Sequence, residues 1–141
     1  MRVNLPTTAV EYLLPPGAAL VSRTDLKGRI TYVNPAFVEA SGFSVDALMG
    51  KAHNIVRHPD MPPEAFADLW QTLDEGLPWT GVIKNRRANG DFDWGQASGT
   101  PSRRNGTTVG YMSVRSRPER AQVEAAEAPY RRIREGTGQK L

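Results

Sequence analysis

The sequence predicts an α+β domain, a five-stranded antiparallel sheet with short helices on one face. Three observations carry that prediction. Two short apolar runs near the N-terminus are joined by a turn, a cluster of helix starts and stops follows, and three further strand-like runs are joined by Asn89-Gly90 and Asn105-Gly106. Asn-Gly between alternating runs is a strong hairpin signal, because the tight turns that fit the twist of paired strands need positive φ. Two strands, then helices, then three strands is solved most economically by one sheet with the helices packed on one side.

Composition bounds the answer. At 141 residues, with 39% hydrophobic and 23% charged residues, the chain fits one globular core. The expected division is an arm over 1–17, a folded domain over 18–117 and a basic, partly helical tail over 118–141. No apolar run approaches the ~20 residues that cross a bilayer, and the N-terminus lacks a signal peptide's continuous apolar stretch. The expectation is a cytoplasmic chain with no membrane span. The sequence has no Cys, which excludes disulfides, thiolate metal sites and Cys nucleophiles. Residues 1–100 hold nine Lys/Arg against eleven Asp/Glu, and residues 101–141 nine against four. That basic excess suits a solvated tail or an acidic partner. No aromatics alternate with the arginines as stacking on bases requires, so no nucleic-acid partner is expected.

Each element has a local cause. The arm is broken by prolines and has a short apolar patch at 12–14. Residues 18–23 and 29–33 read as a hairpin around a turn at 25–28. Asn34 before Pro35 pairs an N-cap with a first-turn proline, Phe37 and Val38 supply an apolar side, and Gly42 ends the helix in the left-handed conformation. Ser44 caps a second short helix that Gly50 closes, and 53–63 is an irregular connection. A longer helix follows, with Glu64 in its first turn, Phe66, Leu69, Trp70 and Leu73 on one face, and Gly76 as its stop. Strands are expected over 79–87, 91–101 and 107–117.

Alternation along a strand assigns faces. Trp79, Gly81, Ile83 and Asn85 share one side of the third strand. Gly95, Ala97 and Gly99 share a side of the fourth, opposite Phe92 and Trp94. On the fifth, Met112 and Val114 are expected inside, and Tyr111, Ser113 and Arg115 outside. A Gly/Ala row facing inward leaves volume that close-packed interiors do not keep. A planar cofactor and a closely packed helix fill it equally well. Phe92, Trp94 and Tyr111 would then form an outer apolar patch that docks a partner or a second copy, unless the arm covers it.

Polar chemistry gathers at His53-Asn54, at Arg57-His58-Pro59-Asp60 and at Lys84 to Arg87. Arg57 offers a planar donor set for phosphate or carboxylate, and an inward Asn85 can both donate and accept. Each has an ordinary alternative: an ion pair for Arg57, a helix cap for Asp60 and a backbone bond for Asn85. Their convergence favours a ligand. No nucleophile elbow, phosphate loop or metal-ligand spacing is present, so neither an enzyme nor a metal site is expected.

The stretches Ala36-Phe37-Val38, Ser41-Gly42-Phe43, the run from His53 to Pro62, Ala65 to Trp70, Trp79 to Arg87 and Gly110 to Arg115 resemble PAS domains, specifically the FAD-binding sensor domains of bacterial aerotaxis receptors. The resemblance implies non-covalent FAD around Arg57, His58 and Asp60, with Trp70, Trp79 and Asn34 or Asn85 near the ring. It also implies redox or oxygen sensing relayed to a signalling partner. Gly95 and Gly99 depart from it, standing where the relatives carry bulkier residues. Aerotaxis receptors continue beyond the sensor, so the output is expected on another chain unless this is part of a longer one. Other readings are a heme or small-molecule PAS module, for which His53 and His58 are the available histidines, and a ligand-free dimerisation module. A flavin–cysteine photoadduct is excluded for want of Cys.

Overall fold

Asn34 sets the first change of direction. Its Oδ1 accepts from Phe37 N (3.0 Å) and from Val21 N (3.0 Å), while Nδ2 donates to Ala19 O (2.9 Å). One side chain thus caps a helix and staples it to the first strand of the sheet. The computed structural model describes residues 3–136. Its elements run β1 (Leu20–Thr24), β2 (Ile30–Val33), α1 (Pro35–Ser41), α2 (Val45–Leu48), a 3-10 turn (His53–Val56), α3 (Pro63–Asp74), β3 (Trp79–Arg86), β4 (Phe92–Arg104), β5 (Thr107–Ser116) and α4 (Arg120–Arg134). The expected stops are in place: Gly42, Gly50 and Gly76 all have φ between +74 and +83°, where L-residues with a Cβ are strained.

The strands form one antiparallel sheet in the order β2-β1-β5-β4-β3. Asn105 and Gly106 both have positive φ (52 and 80°), which twists the β4–β5 hairpin as the sheet requires. β4 runs through Pro101 to Arg104, three residues past the expected end. Pro101 is tolerated because β3 stops opposite Gly99, so Pro101 pairs with β5 alone and its missing N–H falls on an open edge.

The register corrects the faces of β5. Ala97 lies opposite Arg115, Gly99 opposite Ser113 and Pro101 opposite Tyr111. Directly paired residues share a face, so Tyr111, Ser113 and Arg115 point inward with the Gly/Ala row, and Met112 and Val114 point out. The expectation placed hydrophobic residues inside. It failed because Arg115 is neutralised within the fold.

Two apolar clusters flank the interior. Leu14, Leu20, Ile30, Val33, Phe37, Ala40, Leu48, Ile55 and Val56 make one, and Met61, Ile83 and Ala97 the other, with Phe66, Leu69 and Trp79 packed on it. Over β3 and β4 the outer face is covered by the chain itself, whereas Arg23 and Tyr32 leave it exposed over β1 and β2. The arm pairs with the start of β4, Tyr12 N donating to Phe92 O (2.7 Å) and Phe92 N to Val10 O (3.1 Å). α4 crosses the same face: Gln122 Nε2 donates to Gln96 Oε1 (3.3 Å), Tyr130 Oη to Val82 O (2.8 Å) and Arg134 Nη1 to Asp60 O (2.7 Å). Val123 is buried, and Trp94 is only 5% exposed beneath these elements.

Arg120–Arg134 is thus one helix with Pro129 inside it. A helix-interior proline removes one backbone donor, and packing against the sheet offsets that loss. The basic excess is also partly internal. Arg103 donates to Gly76 O, Arg115 to Asp93 and Arg120 to Glu11. Tyr130→Phe, which deletes the bond to Val82 O, should lower unfolding free energy by about 0.5–1.5 kcal/mol in urea denaturation. An unchanged midpoint would mean that α4 does not hold this position in solution.

Candidate functional site

Between the sheet's inner face and α3 lies a cavity of about 230 Å³. The Gly/Ala row helps to open it, though part of the freed space is taken. Gly99 is filled by Leu73, whose methyls stand 3.6 Å from where a Cβ would sit, and Gly95 by Arg115, at 3.3 Å. The cavity is walled by Phe66, Leu69, Trp70 and Leu73 from α3, Trp79 and Ile83 from β3, and Tyr111 from β5. Trp70 meets Tyr111 edge-on, with ring centroids 5.4 Å apart. Trp79 is fixed by its Nε1 donating to Asp68 Oδ2 (2.9 Å). Ser22, Thr24, Asn54, Asn85 and Ser113 add polar edges, and Lys27, Arg57 and Arg115 add positive charge.

Five of the eight predicted ligand residues line this space: His53, Arg57, Trp70, Trp79 and Asn85. The other three do not. Asn34 spends its amide on the α1 cap and β1. His58 is buried on the other side of its loop, its Nδ1 accepting from Asp60 N (3.0 Å) and its ring edge-on to Phe92. Asp60 accepts from Lys84 Nζ (2.9 Å) on the outer face. The split follows from local geometry. Arg57 is extended (φ −71°, ψ 131°) and bridges to Asn85, and neighbouring side chains of an extended segment point to opposite sides. Arg57 therefore faces the cavity and His58 faces away. Of the expected outer patch, Tyr111 is inside and Trp94 is buried under the arm and α4. Phe92 is half-buried beneath Lys84, whose Nζ stands 4.4 Å from its ring.

Sequence reasoning missed the polar floor. Arg115 Nη1 donates to Asp93 Oδ1 (2.8 Å), and both side chains are buried. With its amide oriented to satisfy both neighbours, Asn85 accepts from Arg115 Nη1 (2.8 Å) and donates to Val56 O (3.2 Å). Burial pushes the Asp93 carboxyl above its ordinary range, against the pull of Arg115. The signal in the sequence was Asp93 in phase with the Gly/Ala row. Asn4 was missed too: its amide donates to Asn54 O (3.0 Å) and Arg57 O (2.9 Å), tying the arm to the cavity's rim.

Three polar atoms at the cavity have no hydrogen-bond partner among the described residues: Thr24 Oγ1, Asn54 Oδ1 and Arg57 Nε. Buried polar groups are nearly always satisfied, and each exception needs a reason. Arg57 also lays its guanidinium 3.9 Å over the Phe66 ring. These atoms offer an acceptor, a cationic donor and a hydroxyl beside aromatic walls, the donor set that a polar-edged planar ring requires.

Both histidines are held neutral. His53 is pulled down to about 4, first by burial and then by Arg115, and its Nε2 lies 3.0 Å from Ser22 Oγ. His58 is pulled down to about 4 by burial and by Lys84, against Asp60. Between pH ~6.5 and ~4 the unfolded chain binds these protons and the folded chain does not, so stability falls with pH through that window. Urea midpoints at pH 7.5, 6 and 5 should decline in order, and His53→Gln should flatten the decline. A flat wild-type profile would place both imidazoles in water.

A family model described as the PAS fold matches residues 30–115. The chain is 48% identical over 117 residues to the aerotaxis receptor of Escherichia coli (strain K12), covering 83% of this chain and 23% of that protein. It is 34% identical over 70 residues to the nitrogen fixation regulatory protein of Klebsiella pneumoniae, covering 50% of this chain and 14% of that protein. The chain thus spans less than a quarter of the curated relatives. The dark structure of the blue-light photoreceptor Aureochrome1 LOV superposes with a TM-score of 0.70 at 21% identity, covering 76% of this chain and 80% of that one. The PAS domain of a Colwellia psychrerythraea protein superposes with a TM-score of 0.64 at 22% identity, covering 71% and 86%. With its sheet order, inner cavity and matched span, this chain belongs to the PAS fold family.

Proposed function

We propose that this chain is a flavin-binding PAS sensor module, with FAD as the ligand, that relays the ring's redox state to a signalling partner. The observation that carries the reading is the aromatic-walled cavity with three unpartnered polar atoms at its edge. Its volume lies below the ~300–1,000 Å³ of pockets that enclose whole ligands. It therefore suits the planar ring alone, with Lys27 and Arg57 available to the charged remainder. Bound there, a flavin supplies reversible redox chemistry and a ring edge whose charge changes with it. Asn85 lines the cavity, and its amide, which carries both a donor and an acceptor, is the group we assign to re-pair when that charge changes.

The cavity is a poorer fit to heme. His53 Nε2 is engaged with Ser22, and His58 is outside. A partner approaching the β3–β4 part of the outer face would first meet the arm and α4, so these elements are the readout we assign. The partner is read as a transducer module, with self-association as the second form of output and the cytoplasm as the compartment. The test is the visible spectrum of purified protein, followed by chromatography of the heat-released cofactor. FAD supports the reading, a heme spectrum or colourless protein overturns it, and FMN would correct the dinucleotide.

A further inference from the structure

Arg115 fills the space over Gly95 and stands 5.6 Å from the Phe37 ring centroid, packing that an apolar side chain would also supply. Replacing a buried ion pair with apolar residues is often neutral or stabilising, so stability alone does not account for it. The geometry makes room for it: a Cβ at position 95 would stand 3.3 Å from both Cδ and Nη1 of Arg115. Both of its bonds, to Asp93 and Asn85, leave from Nη1, and Nε and Nη2 have no acceptor among the described residues. Its side chain, 4% exposed, lines the cavity. Asp93 is not a lining residue, and no carboxylate lines the cavity among the described residues, whereas Lys27 and Arg57 do. The ligand therefore meets positive charge with its counter-charge set behind it.

We propose that Arg115 is the specificity-determining residue of the cavity. Its unused N–H groups favour a planar ring whose edge carries negative charge or strong acceptors over an uncharged ring of the same size. With a flavin bound, they favour the more electron-rich state. The second statement rests on the flavin reading, and the first does not.

The test compares wild type with Arg115→Gln/Asp93→Asn, which removes both charges and so leaves neither buried alone. If the protein purifies with flavin, the variant should lose at least tenfold in relative affinity for the reduced ring, a midpoint potential lower by about 30 mV for a two-electron couple. An unchanged potential overturns the role of Arg115 and leaves the flavin reading standing. If it purifies without flavin, that reading fails, and the probes become naphthalene-2-carboxylate and its neutral carboxamide, followed by tryptophan fluorescence. Wild type should prefer the carboxylate at least tenfold, and the variant should not. No preference in wild type, or one kept by the variant, overturns the inference. So does an effect of Arg57→Gln with none at 115. Should the first variant not fold, Arg115→Met/Asp93→Leu gives the same comparison with an apolar pair.

Discussion

Asp93→Ala should cost about 3–5 kcal/mol of folding stability, the usual penalty for stranding one member of a buried ion pair. Stability in small domains is about 5–15 kcal/mol in all, so the variant should be barely folded at 37 °C. Asp93 Oδ1 is the anionic partner of Arg115, 2.8 Å away, with both side chains under 5% exposed. Removing the carboxylate leaves a guanidinium that cannot discharge, because arginine stays protonated. The reverse deletion is milder. In Arg115→Met the carboxyl, already pushed up by burial, can take a proton. The double variant Asp93→Ala/Arg115→Met should recover most of the single loss. A double variant as unstable as Asp93→Ala would show that packing around position 93 is what was lost, and that the pair matters little.

That pair also marks where sequence reasoning reached its limit. The caps, turns and glycine stops are local events, each determined by a few adjacent residues. Asn34, Gly42 and the Asn-Gly turns therefore appear where the sequence placed them. The inward Gly/Ala row and Asn85 were legible for the same reason, because strand alternation is local. The face of β5 was not, since hydrophobicity alone pointed Met112 and Val114 inward. Arg115 is inside because Asp93, 22 positions earlier, neutralises it, and no window of adjacent residues contains that fact. His58 and Asp60, which the resemblance placed with Arg57 around the ligand, face away from the cavity. Extended backbone carries alternate side chains to opposite sides, and the bridge from Arg57 to Asn85 sets which side is which. The outer aromatics looked available because nothing local announced that the arm and a proline-containing helix would both lie on them.

Separating lining residues from neighbours gives a second large effect. Arg57→Ala and Trp70→Ala should each yield folded protein that retains no more than about one-tenth of wild-type flavin. A hydrogen bond to a charged group contributes about 1.5–3 kcal/mol, which is about tenfold to a hundredfold in affinity. Arg57 Nε has no partner among the described residues, so what the folded protein loses is chiefly the stacking of the guanidinium on Phe66. Trp70 contributes an aromatic wall, worth about 0.5–1.5 kcal/mol beyond the area that it buries. Its indole also closes over Gly28, where a Cβ would stand 3.6 Å from it. Asp60→Ala is the contrasting case. Its carboxylate serves Lys84 on the far side of the loop and is 45% exposed, so flavin content should stay near wild type. His58→Ala removes a buried ring and should lower thermal stability first, with any flavin loss tracking the unfolded fraction. Far-UV circular dichroism and the flavin-to-protein absorbance ratio decide the matter together. If Asp60→Ala loses flavin as completely as Arg57→Ala while staying folded, the cofactor reaches the outer side of the loop, and the cavity is not its principal site.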